Sequence, residues 1–225
     1  MPLAAPDTDA ADFGAMLVAL AAAEGTASHP WTISPELNAN PLATRNLADA
    51  LHLLSILHGR QPGLIELAGE RNVLPIADPW FQQAAAGFAA ERLYLTQLIV
   101  VAGPGPSTPG ESETASAVLT QRHALETIAG SDRFGCAMGA AAALVLDWQA
   151  IRSVLDTAAA RIGIDIPQTL MPDEASTAAL LADLPPRPRL DRTLAFGARQ
   201  LLIQHRGLWD LLEARASARE QAVQQ

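Results

Sequence analysis

The chain contains no lysine. All 15 of its basic residues are arginine, set against 24 acidic ones, which leaves a net charge of −9 over 225 residues. Binding to nucleic acid relies on concentrated positive charge that displaces counterions from phosphates, and these arginines are scattered along the sequence, so no nucleic-acid partner is expected. Cysteine is nearly absent as well. Cys136 is the single one; it cannot close an internal disulfide, which fits a reducing compartment. The opening MPLAAPDTDAADFG lacks the basic start and continuous apolar stretch of a secretory signal and carries three aspartates instead, so a cytoplasmic protein is expected. No unbroken apolar run reaches the ~18 to 20 residues of a membrane span. The best one, FGCAMGAAAALVL, stops at Asp147, and no membrane association is expected.

Aromatic residues make up only 4% of the chain, while hydrophobic residues make up 49%, with alanine dominant. Alanine loses no side-chain entropy in a helix, whereas β-branched residues do, so this composition favours an all-α fold. Capping side chains stand directly before prolines at Ser34-Pro35, Asn40-Pro41 and Asp78-Pro79, a pattern of helix starts. Breaks fall at GPGPSTPG (103–110), at Gly163 with Pro167 and Pro172, and at LPPRP (184–188). Helices are therefore predicted at 9–24, 41–58, 63–71, 79–102, 112–129, 132–162, 174–183 and 189–217. The expected architecture is a single-domain bundle over 9–218, with about five long helices and short connecting ones, and with flexible ends at 1–8 and 219–225.

In the stretch LADALHLLSILHGR, a helical rotation of about 100° per residue puts Leu47, Leu51, Leu54 and Leu57 on one face and Asp49 with His52 on the other. Asp49 and His52 read as a solvated surface pair. His58 lies in line with the leucines, directly before Gly59, where a C-terminal capping role is its plainest reading. In the last long helix, His205 falls at the centre of the stripe formed by Leu194, Ala198, Leu201, Leu202, Leu208, Trp209 and Leu212. Glu91 shares a face with Trp80, Ala84, Phe88, Leu95 and Leu98, and Asp147 shares one with Cys136, Ala140, Ala143, Ile151 and Val154. A carboxylate or imidazole buried alone costs several kcal/mol or is neutralised, so Glu91, Asp147 and His205 are predicted to meet, with His58 and either Arg92 or Arg133 able to join.

Two roles follow for that cluster. The first is a structural network in a non-catalytic protein that binds a partner protein or forms a homo-oligomer. The alternative is a small-ligand or metal-dependent enzyme, mononuclear or atypical ferritin-like, with Glu91, Asp147 and His205 as candidate metal ligands. Helical di-iron proteins carry Glu-x-x-His pairs, and this chain has none. Its nearest approximations are Asp49-Ala-Leu-His52 and His123-Ala-Leu-Glu126, so it resembles ferritin-like proteins in helix content only. No serine stands in Gly-x-Ser-x-Gly, and GPGPSTPG has too many prolines to form a phosphate-binding loop. Cys136, within Gly135-Cys-Ala-Met-Gly139, reads as packing that lets a neighbouring helix approach. Trp31, in the interhelical segment His29-Pro30-Trp31, reads as a cover over the core.

Overall fold

The computed structural model describes residues 8–185 and 188–223. Nine helices are found among the described residues: α1 (Thr8–Glu24), α2 (Pro35–Asn38), α3 (Ala43–His58), α4 (Leu64–Glu70), α5 (Asp78–Ala102), α6 (Glu111–Ala129), α7 (Cys136–Ile162), α8 (Glu174–Ala182) and α9 (Pro188–Val223). No strand occurs among them. The fold is all-α, with one continuous hydrophobic core.

Helix α7 is the central element. It packs against α1, α3, α4, α5, α6, α8 and, most extensively, α9. Small residues bring α7 and α9 into backbone contact: a Cβ on Gly139 would stand 2.0 Å from the Leu194 carbonyl oxygen, and one on Gly197 would stand 1.9 Å from that of Cys136. A side chain at either position would force the helices apart. The two helices run parallel, since Gly135 meets Leu190, Gly139 meets Leu194, and Asp147 meets His205. Asp147 lies eight residues beyond Gly139 and His205 eight beyond Gly197, about two turns in each case. The glycine crossing thus sets the register that brings the acid to the imidazole.

Helix α9 continues through Val223, where a flexible end was expected from residue 219. Arg219 explains the extension. It is buried and donates to Asp49, to Thr108 Oγ1 (2.9 Å) and to Asn46 Oδ1 (2.5 Å), which fastens the last turns to α3 and to the 103–110 loop. The expected flexible ends at 1–7 and 224–225 lie outside the described residues.

Two stretches, Pro75–Ala102 and Cys136–Ile162, are long and apolar enough by composition to cross a bilayer, although neither is an unbroken apolar run. In the second, 78% of the apolar window is buried inside the protein, which accounts for it as the core helix; in the first the share is 44%.

Candidate functional site

Of the three residues predicted to meet, Asp147 and His205 do, and His58 joins them. His205 Nδ1 donates to Asp147 Oδ2 (2.6 Å), and His205 Nε2 lies 2.9 Å from His58 Nε2. Asp147 on α7, His205 on α9 and His58 at the end of α3 therefore form one chain of hydrogen bonds. The turn after α1 closes its inner end. Thr26 donates to Asp147 through its backbone N–H (2.7 Å, to Oδ1) and its hydroxyl (2.6 Å, to Oδ2), and Trp209 Nε1 donates to the same hydroxyl (2.9 Å). Gly25 lets the backbone pass over the carboxylate, because a Cβ there would stand 2.2 Å from Asp147 Oδ1. Thr26 escaped the sequence reading, and Trp209 was read only as part of the apolar stripe of α9. A buried indole N–H needs an acceptor, which was the signal available for Trp209; nothing in the sequence marks Thr26.

Glu91 does not join this chain. Its oxygens accept from Trp148 Nε1 (3.1 Å) and Arg152 Nη1 (2.6 Å). Arg152 also donates to Asp156 Oδ1 (2.7 Å) and to the Pro167 carbonyl, and Tyr94 donates its hydroxyl to the same Asp156 oxygen (3.0 Å). Burial and the Asp156 contact hold the Tyr94 hydroxyl well above its ordinary pKa. The correction has a simple cause: α7 carries Arg152 one turn beyond Trp148, and a full cation is a stronger partner for Glu91 than a shared imidazole.

The metal-site expectation fails on the same geometry. Glu91 is committed to Trp148 and Arg152, and both nitrogens of His205 are committed to Asp147 and His58. Among the described residues, no three carboxylate, imidazole or thiol groups are placed to hold an ion.

Asp49 and His52 are not a solvated pair either. Asp49 is buried and takes Arg215 (2.9 and 3.2 Å) together with Arg219. His52 lies 2.9 Å from the Gly103 carbonyl oxygen. His123 is exposed, Cys136 and Trp31 are buried, and His29 bridges the Trp31 N–H and Asp210. Arg133 stands apart from the cluster with its guanidinium over Phe196, where it joins Arg189 and Arg192 around an open depression; arginines scattered in sequence are grouped there in space.

His58 is buried as well, at 6% exposed, but it is the member of the chain that lines a cleft. Asp147 and His205 are sealed in the core, 2% and 0% exposed, whereas His58 lines a narrow cleft of about 20 Å³ with Gly63, Phe88, Arg122 and Glu126. It is not a helix cap. Its ring meets Phe88, Trp148 and His205 edge-on, at 5.9, 5.6 and 5.0 Å. Burial, the neighbouring His205 and the Arg92 cation hold its pKa well below the ordinary 6.5, so the ring is neutral at pH 7. The contact between the two Nε2 atoms needs one proton between the rings. With that proton on His58, His205 gives its Nδ1–H to Asp147, its Nε2 accepts from His58 Nε2–H, and His58 Nδ1 is left as a bare base.

Residues 21–220 match a family model described as a family of unknown function (DUF6975). No curated protein and no solved structure matches the chain.

Proposed function

The chain belongs to this family of unknown function, and we propose from the geometry alone that it is a small-ligand-binding protein in which His58 acts as an acid–base group. One observation carries this reading: the hydrogen-bonded chain runs from Asp147 and His205 in the core to His58, which is 6% exposed and lines a narrow cleft. A purely structural network has no need to end at a cleft. Carboxylate, inner imidazole and outer imidazole are arranged as a base with its orienting groups behind it. When His58 takes a proton from a ligand at Nδ1, its Nε2–H strengthens its bond to His205, and His205 passes the polarisation to Asp147. The inner groups fix the orientation of the ring.

Diethyl pyrocarbonate, which acylates neutral accessible imidazoles, tests the reading when the modified peptides are mapped by mass spectrometry. His58 is expected to be modified, more slowly than exposed His123, while His205 stays protected. If His58 is as inert as His205, the chain is closed at both ends and the acid–base role is lost.

A second reading, self-association, is supported by the outward side of α5. Gln83, Ala86, Ala90, Leu93, Gln97 and Val100 follow one another at alternating three- and four-residue steps, and none is buried. Such a seam suits a second copy of the same helix.

A further inference from the structure

We propose that the cleft beside His58 is built to take a carboxylate head group, with Arg92 as its anchor. The proposal rests on the acid–base reading of His58 and adds the class of ligand. Arg92, on α5, is 6% exposed, and its guanidinium lies over the Phe88 ring, 4.8 Å from the centroid. Nη2 donates to Glu66. Nε and Nη1 have no hydrogen-bond partner among the described residues. Three N–H bonds of a buried cation thus lack an acceptor, a costly arrangement that a bound anion would relieve.

The unpartnered edge lies directly behind the wall of the cleft, which Arg92 itself does not line. Arg92 Nη1 is 3.2 Å from where a Cβ of Gly63 would stand, and Gly63 lines the cleft beside His58 and Phe88. Arg92 covers the face of the Phe88 ring, and His58 meets the same ring edge-on. From α6, Arg122 contributes a second buried Nε without a hydrogen bond, since Glu126 Oε1 is 3.7 Å away. Arg60 pairs with Glu126 at the rim (3.3 Å). Arg60, Arg122 and Glu126 line the cleft and the Arg92–Glu66 pair lies behind it, together an excess of one positive charge on a chain of net −9. One water needs roughly 10–15 Å³ of such space, so about 20 Å³ takes one or two water-sized groups, the scale of the two oxygens of a carboxylate.

A carboxylate there also faces His58. The groups around that ring are His205 from α9, Arg92 from α5, Arg122 and Glu126 from α6, and Arg60 in the loop after α3. A new negative charge beside Arg92 offsets the cation that disfavours protonation of the imidazole. Ligand affinity should accordingly rise as the pH falls.

The test titrates the protein with acetate, with inorganic phosphate and with chloride at matched ionic strength, reading the His58 imidazole ¹⁵N shift and the protection of His58 from diethyl pyrocarbonate. Acetate is expected to saturate and to protect His58 while leaving His123 unaffected. Arg92→Gln should weaken acetate at least about tenfold, the scale of a lost charge-assisted hydrogen bond. Gly63→Ala keeps Arg92 and Glu66 but puts a methyl 3.2–3.3 Å from Arg92 Nη1, the Arg60 carbonyl and Glu66 Oε2, and should weaken acetate as well. An acetate response equal to that of chloride, or one kept by both variants, overturns the proposal, as does saturation by phosphate in preference to acetate. If diethyl pyrocarbonate modifies His58 and acetate gives no protection, the carboxylate site falls and the acid–base reading stands. If His58 is inert to the reagent, the acid–base reading itself has failed.

Discussion

His58 gives the molecule a pH dependence whose sign follows from its burial. Its pKa in the folded chain lies well below the 6.5 it has when unfolded. Between those two values the unfolded chain holds a proton that the folded chain does not. Folding stability is therefore unaffected by this group above pH 6.5 and declines as the pH falls below it, by up to about 1.4 kcal/mol per pH unit for one proton. His58→Phe should remove that slope, although it also lowers stability overall by leaving His205 Nε2 without its partner. Urea midpoints measured from about pH 7 down to about pH 5 check this, the quantity of interest being the slope of the variant against that of the parent. Equal slopes would mean that His58 is protonated in the fold. At this scale the sequence was partly legible. His205 could be placed because α9 is amphipathic, and an imidazole at the centre of its apolar stripe had to find a polar partner. Glu91 could not, because α5 and α7 are apolar nearly all round and the pattern gives no direction for an acid within them. Asp49 was misread for a related reason: a polar helix face looks solvated until another element, here the end of α9 with Arg215 and Arg219, is seen to cover it.

Helix boundaries were far more legible than partners. Predicted 79–102 against Asp78–Ala102, and 112–129 against Glu111–Ala129, show how firmly proline and glycine punctuate the chain. These signals are local, whereas the parallel crossing of α7 and α9 depends on residues more than fifty positions apart. Two glycines of α9 expose the difference. A Cβ on Gly197 meets the Cys136 carbonyl oxygen at 1.9 Å, and neither backbone can yield; a Cβ on Gly207 meets the amide nitrogen of Gln121 at 2.8 Å, the tip of a side chain that can swing away. Gly197→Ala should destabilise the protein by about 3 kcal/mol or more. Gly207→Ala should be neutral or stabilise it by up to about 1 kcal/mol, because alanine is the better helix former. Thermal or urea unfolding of the two variants separates them. An effect at Gly197 as small as that expected at Gly207 would show that α7 and α9 are not in backbone contact.

Seen whole, the molecule carries one long helix, α5, whose outward positions hold no charge. The charged residues of α5 after Asp78 are Glu91 and Arg92, and both are buried, so its outward positions from Gln82 to Val101 carry none. Leu93 and Val100 are 61% and 74% exposed there. On a chain of net −9, two copies repel one another except where such a charge-free surface meets its like. The seam is also self-complementary. About a two-fold axis near the middle of the helix, Gln83 faces Val100, Ala86 faces Gln97, and Ala90 faces Leu93, so larger side chains stand opposite smaller ones at two of the three levels. Sedimentation velocity over a range of concentrations should therefore show a dimer. Leu93→Glu, which lies outside the core and brings a carboxylate of each copy into the seam, should return it to monomer without changing the unfolding midpoint. A monomer at every concentration, or sedimentation with lipid vesicles in place of self-association, would assign the α5 surface to another partner.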